Sequence, residues 1–371
     1  MSLSKIIGLS AALHLYLGLR LAPSLPLPAG IALAVLLLAS AVLVPAALLA
    51  RRLLRSVAAA DRLTWVGMLF MGLFSSLFVL TVLRDVLLLA LHLAGRTGWN
   101  EPTAAAVPLL ALAFTAVGFF NARRPARVKR VDISLPGLPA ALAGFRIVQI
   151  SDIHVGPTIK QGYLQAIVER VNALHPDVIA ITGDLVDGSV AELRAHVAPL
   201  AALRARHGVF FVTGNHEYYS GVHGWVDELR RLQIRVLHNE HVVIHHEGAD
   251  LVLAGVPDFS GHHFDPAHRS DPAAALGGAP QGLLRVLLAH QPRTAAAAAE
   301  AGFDLQISGH THGGQFLPWN WFVPLQQPFT AGLHQLGRLQ VYVSRGTGYW
   351  GPPKRLGAPS EISELRLAPS A

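Results

Sequence analysis

The chain has 371 residues, is 52% hydrophobic by composition, and carries 30 Lys and Arg against 23 Asp and Glu with no cysteine. That apolar content is too high for a purely soluble protein, so part of the chain is expected in lipid. Without cysteine there are no disulfides, thiolate nucleophiles or thiolate metal ligands, and any metal must be held by nitrogen and oxygen.

Charge divides the chain. Residues 1–130 hold 13 Lys and Arg against 3 Asp and Glu, whereas residues 131–371 hold 17 against 20 and keep 17 of the 19 histidines. The positive charge therefore sits beside hydrophobic segments and the His-rich part is slightly acidic, which argues against a nucleic-acid partner.

Four apolar stretches are read in the first part, over 6–21, 30–50, 63–83 (with a continuation to Leu93 as the alternative) and 104–120. The middle two reach the ~20 residues that a hydrocarbon core demands, and the outer two lie near the short limit. A cleaved signal peptide is the competing reading of the start, but Lys5 alone makes a weak basic region and more apolar stretches follow. Arg51, Arg52, Arg55 and Arg62 join the second and third stretches, and Arg123, Arg124, Arg127, Lys129 and Arg130 follow the fourth. The positive-inside rule then puts both termini in the cytoplasm of a multi-pass protein of the cell (inner) membrane. Arg84 and Asp85 are expected at the interface, where the third stretch ends near Leu83, and they are too few to make the spans a transporter.

From about Val131 the pattern changes to an α/β domain with mixed sheets. Strands are predicted over 145–151, 177–182, 209–213, 242–246, 251–256, 284–289, 304–308, 339–344 and 361–367, and helices over 162–174, 190–205, 225–232 and 294–301. The expected domains are a transmembrane helical domain, 1–122; a basic juxtamembrane linker with a first strand, 123–143; and a catalytic domain, 144–371.

Polar clusters follow five of these strands: Asp152-Ile153-His154, Gly183-Asp184, Gly214-Asn215-His216-Glu217, His290, and Gly309-His310-Thr311-His312. Carboxyl ends of strands open onto the ligand crevice of α/β sheets, so the five are expected to converge. Asp-x-His and His-x-His in extended chain put both side chains on one side. The ligand types suit hard to borderline divalent ions, and seven ligands suit two ions sharing one carboxylate. His223, His238, His241, His245, His246, His262, His263 and His268 compete with His290, but only His290 ends a buried apolar strand.

In this order the five blocks resemble the signature of the calcineurin-like metallophosphoesterases, over about 144–367, with Glu217 standing where the family accepts Asp or Glu. The start and the Gly-His-Thr-His-Gly-Gly-Gln run look most like the family's membrane-associated bacterial branch. The resemblance implies a four-layer α/β/β/α sandwich behind the membrane helices. It also implies that Asp152, His154 and His312 hold one divalent ion (Mn, Fe, Zn or Ni) and Asn215, His290 and His310 a second, with Asp184 bridging. His216 would be the catalytic acid that protonates the leaving oxygen during hydrolysis of a phosphoester or phosphoanhydride by a bridging hydroxide.

Gly346, Gly348 and Arg355 lie in a closing segment like the family's, where Arg355 is a substrate-phosphate candidate; His262, beside His263, is a second substrate candidate. Trp319, Trp321, Phe322 and Phe329 are expected to cover core, with headgroup contact as the alternative. The expected partners are membrane lipid and a phosphate ester, with a lipid-linked or lipid-nucleotide substrate suggested by relatives that cleave nucleotide diphosphates bearing an acylated sugar. A catalytically silent, phosphate-binding membrane sensor or scaffold is the alternative function, against which the intact ligand set and His216 stand.

Overall fold

The structure, a computed structural model, describes residues 3–370 and divides the chain into two compact units, 1–123 with 351–356 and 124–350 with 357–371. The first unit is helical: α1 (Leu3–Leu21), α2 (Leu27–Leu48), the short α3 (Ala50–Leu53), α4 (Val57–Leu93) and α5 (Asn100–Arg123). α1, α2, α4 and α5 are long and apolar enough to cross a membrane. Pro26 precedes α2 and Ser56 caps α4, its side chain accepting from Ala59 N.

The third stretch does not stop at Leu83. α4 runs unbroken for 37 residues, about 55 Å at 1.5 Å per residue, against a hydrocarbon core of about 30 Å. Arg84 and Asp85 therefore lie within a helix, at the level where α1 ends and α5 begins. Asp85 accepts from Tyr16 Oη at 2.7 Å and from Arg20, and Arg84 donates to Arg20 O, Asn100 O and Thr103 Oγ1 at 3.0–3.2 Å. Pairing lets the helix continue past two charges. Residues 351–356 belong to this unit. Lys354, 2% exposed, donates from Nζ to Gly72 O and Ser76 Oγ, and Arg355 N donates to Gly118 O at 2.8 Å. A Cβ at Gly118 would lie 2.6 Å from Lys354 Cγ, so α5 needs glycine there.

The second unit is built on two six-stranded mixed sheets. The first contains β1 (Arg127–Leu135), β2 (Arg146–Ile150), β3 (Val178–Ile181), β4 (Val209–Phe211), β5 (Arg235–Val236) and the C-terminal β12 (Glu361–Pro369), in the order β1-β12-β2-β3-β4-β5. The second contains β6 (Glu240–His246), β7 (Ala249–Gly255), β8 (Leu284–Leu288), β9 (Leu305–Ser308), β10 (Gly332–Leu336) and β11 (Leu339–Val343), in the order β10-β11-β9-β8-β7-β6. Pairing is parallel from β2 to β5 and from β7 through β8 and β9 to β11, while β12–β2, β6–β7 and β10–β11 are antiparallel. The basic segment after the helices is thus an edge strand, parallel to β12 from Arg127↔Glu361 to Leu135↔Pro369.

Strand alternation builds the layers. Ile147, Val178, Ala180 and Phe210 of the first sheet meet Leu251, Leu253, Val286, Ile307 and Tyr342 of the second in one core, each side chain worth roughly 1.5–3 kcal/mol when fully buried. The opposite face of the second sheet packs Val256, Leu287, Val341 and Val343 with Ala295 and Ala298 of α11 (Ala295–Ala301) and Ala275 of α10 (Pro272–Ala275). The remaining helices are α6 (Gln161–Asn172), α7 (Val190–Val197), α8 (Asn215–Tyr219) and α9 (Val222–Arg231). α6 buries Leu164, Ile167, Val168 and Val171 at helical spacing. The helix expected over 190–205 tightens to a 3-10 turn at Ala198–Ala202, where Pro199 cannot donate to the helix ladder.

Candidate metal centre

The five polar clusters converge. Asp152 and His154 follow β2, Asp184 follows β3, Asn215 and His216 open α8 after β4, His290 follows β8, and His310 and His312 follow β9. Gln149 of β2 ties the two sheets together directly beneath them, donating to Thr182 Oγ1 at 2.7 Å and to Ser308 O at 2.8 Å.

Extended chain does not aim the paired side chains. Asp152, His154, Asp184, His310 and His312 all have positive φ, between 51° and 72°. This left-handed backbone disfavours residues other than glycine, and such strain concentrates at functional sites. Two glycines make the close approach possible. A Cβ on Gly214 would lie 2.2 Å from Asp184 Oδ1, and one on Gly309 would lie 2.2 Å from Asp152 Oδ2.

Three groups of ligand-type atoms share this space, Asp152–His154–His312, Asp184–His290–His310 and His154–Asp184–His216, the atoms of each group lying within 4.8 Å of one another. Asp184 Oδ2 lies 3.2 Å from His290 Nε2, 3.8 Å from His154 Nε2 and 3.9 Å from His216 Nε2, which makes it the central carboxylate. His154 Nε2 and His312 Nε2 are 3.0 Å apart, and His310 Nδ1 and His290 Nε2 are 3.2 Å apart. His290 Nδ1 pairs with Thr182 O at 2.7 Å and His154 Nδ1 with Asp187 Oδ1 at 3.0 Å. Those outer bonds turn the Nε2 lone pairs inward, the usual setting of a metal-bound imidazole. Asp152 Oδ2 and Asn215 Oδ1 are buried and have no hydrogen-bond partner among the described residues. A buried acceptor left unpaired costs about 1–3 kcal/mol, which a cation would offset. The donor set therefore fits divalent metal ions.

Asp184 is held well below the usual carboxylate range: burial opposes its charge, but His290, His216 and His154 outweigh burial. Burial beside His290 pushes His310 down to about 3, so that its ring is neutral. Burial also opposes a charged His216, yet the Asp187 hydrogen bond at 2.6 Å and the carboxylates of Asp184 and Asp187 lift it to about 9. Asp187 itself is brought down to about 2, with His154 and His216 outweighing burial.

Asp187 thus holds both His154 and His216, a role the sequence did not disclose beyond its place in the second block. Glu217 is fully buried and accepts from the backbone N–H groups of Asp184, Leu185 and Gly214 at 2.7–3.0 Å, locking two of the site loops together. Tyr219 and Trp350 flank the His216 ring at 5.2 and 5.7 Å. Thr347 N and Gly348 N donate to Ser151 O and Asp152 O from behind.

Arg355 is 1% exposed and belongs to the helical unit rather than to this one. His262 lies in the turn Gly261–His263, its Nδ1 on Phe259 O at 3.1 Å and its ring 4.0 Å from that of His263. The aromatic stretch splits: Phe329 packs on the core beside α11, while Trp321 and Leu325 are 73% and 80% exposed.

Residues 145–314 match the calcineurin-like phosphoesterase family. A protein named transmembrane protein with metallophosphoesterase domain is 44% identical in Bos taurus and 41% in Danio rerio, over 70% of this chain in both cases. The chain spans 62% of the length of these relatives. An uncharacterized metallophosphoesterase of Aquifex aeolicus is 34% identical over 64% of this chain and 89% of its own length. The chain belongs to the calcineurin-like metallophosphoesterases and pairs that domain with membrane-type helices.

Proposed function

We propose that the protein is a membrane-anchored phosphohydrolase that cleaves phosphoester or phosphoanhydride bonds at a two-ion centre. The observation that carries this reading is the central Asp184, with Asp152, His154 and His312 on one side and His290 and His310 on the other, beside the buried unpaired oxygens of Asp152 and Asn215. Divalent ions at such a centre, whether manganese, iron, zinc or nickel, neutralise charge on the phosphoryl oxygens and acidify the attacking water. Asp152, His154 and His312 would hold the first, Asn215, His290 and His310 the second, and Asp184 would serve both. Asp187 fixes the His216 ring through Nδ1, which leaves Nε2 on the side of Asp184 to protonate the leaving oxygen.

The basic residues between α2 and α4 and after α5 support, by the positive-inside rule, a catalytic domain on the cytoplasmic side of the cell membrane. Four membrane-type helices on the same chain favour a substrate with a lipid part.

The test compares wild type and Asp184→Asn in detergent with manganese on an aryl phosphodiester, with elemental analysis of both. The wild type turns over and holds at least two ions per chain, and the variant loses at least a hundredfold in rate. Equal rates would leave the silent sensor as the reading, and a wild type that hydrolyses only soluble esters would remove the lipid substrate.

A further inference from the structure

Outside the Asp184 centre, the second unit holds one more cluster of ligand-type side chains among the described residues: His223, Asp265 and His268, with ligand atoms all within 4.8 Å of one another. They come from two places in the chain. His223 is in the first turn of α9, Asp265 precedes the 3-10 turn Pro266–His268, and His268 ends that turn.

One carboxylate oxygen faces both imidazoles at close to the spacing of ligands on a common ion. His223 Nε2 is 3.4 Å and His268 Nε2 is 3.8 Å from the same Asp265 oxygen, Oδ2. Two ligands each ~2.0–2.1 Å from a tetrahedral zinc ion stand roughly 3.4 Å apart. The other Asp265 oxygen, Oδ1, accepts from Ala267 N at 2.9 Å, which fixes the carboxylate with Oδ2 toward both imidazoles.

The surroundings of His268 favour an ion over a plain surface ion pair. Its side chain is only 12% exposed, and its Nδ1 pairs with Tyr218 Oη at 2.9 Å. Either atom of that pair can be the donor, and the contact holds the ring with Nε2 toward Asp265, as the outer partners of metal-bound histidines hold theirs. His238 brings another imidazole, its ring 4.1 Å from that of His268.

We propose that His223, Asp265 and His268 form a binding site for a borderline divalent cation of the zinc type, distinct from the Asp184 centre. The ion fastens the 261–268 loop to α9, and through Tyr218 it reaches α8, which carries Asn215 and His216. Phe264 of the same loop packs 5.5 Å from Tyr218 and 5.6 Å from Tyr219, and Tyr219 lies 5.2 Å from His216. An ion there holds one wall of the catalytic centre without entering it.

The experiment counts zinc rather than turnover. The full chain in detergent is stripped with chelator, dialysed against buffered zinc and subjected to elemental analysis, both as wild type and in an Asp184→Asn/His290→Gln background that weakens the main centre. His223→Gln is the central variant; its side chain is 73% exposed, so the substitution leaves the fold intact. The expected result is one fewer zinc per chain in His223→Gln than in its parent, in both backgrounds. Tyr218→Phe, which keeps all three ligands, is expected to weaken this zinc roughly 10–100-fold. Equal zinc counts with and without His223 in both backgrounds would overturn the proposal and leave a surface His–Asp ion pair. Because the difference is read within each background, failure of the two-ion centre leaves this result interpretable.

Discussion

Asp187→Asn isolates the part of the centre that orients rather than ligates. Asp187 Oδ1 accepts from His216 Nδ1 at 2.6 Å and from His154 Nδ1 at 3.0 Å, so one carboxylate aims the proposed acid and one proposed ligand. The amide keeps the shape and one acceptor oxygen but removes the charge. A hydrogen bond to a charged group is worth ~1.5–3 kcal/mol, and losing about one such bond corresponds to roughly a 10–100-fold effect. That range is also what outer-sphere substitutions do to metal affinity or activity. The assay is manganese titration of turnover, read as kcat at saturating metal and as apparent metal affinity. If Asp187 acts through His216, kcat falls at saturating metal. If it acts through His154, metal affinity falls and kcat is recovered at high manganese. Both quantities within twofold of wild type would refute the orienting role.

Glu217→Gln sets an amide N–H₂ against backbone donors that now meet a carboxylate, and should destabilise the second unit by about 2–4 kcal/mol. At roughly 2–4 °C per kcal/mol for a domain of this size, the apparent melting temperature falls by roughly 4–16 °C in a thermal scan. Gly309→Ala would place a Cβ 2.0 Å from Ser151 Oγ, so lower metal content and a loss of ~1–3 kcal/mol in stability are expected, measured by elemental analysis and by melting. Trp321→Ala combined with Leu325→Ala should change the unfolding free energy by less than ~0.5 kcal/mol, because both side chains are mostly exposed; a larger drop on melting would mean that they cover core.

Much of the molecule is legible in the residue order. The apolar stretches, the alternating strands and the five polar clusters each depend on local periodicity, so they can be read without knowing what packs against what. Residues whose roles come from distant partners could not be read this way. Asp187 looks like a turn residue until His154 and His216 arrive from two other strand ends, and Glu217 like a family variant until three backbone N–H groups close on it. The left-handed backbone at Asp152, His154 and Asp184 was equally hidden, because only close contact between the loops enforces it. The length of α4 shows the same division: two charges read as a helix end in sequence, and the partners supplied by α1 and α5 carry the helix through them. Sequence by itself marked the apolar stretches, most of the strands and the metal-type side chains, since these follow from side-chain chemistry and period. Tertiary structure alone decided which of those side chains gather round Asp184, where Arg355 lies, and that His223 meets the Asp265–His268 turn, since those depend on residues far apart in the chain arriving within a few ångströms of each other.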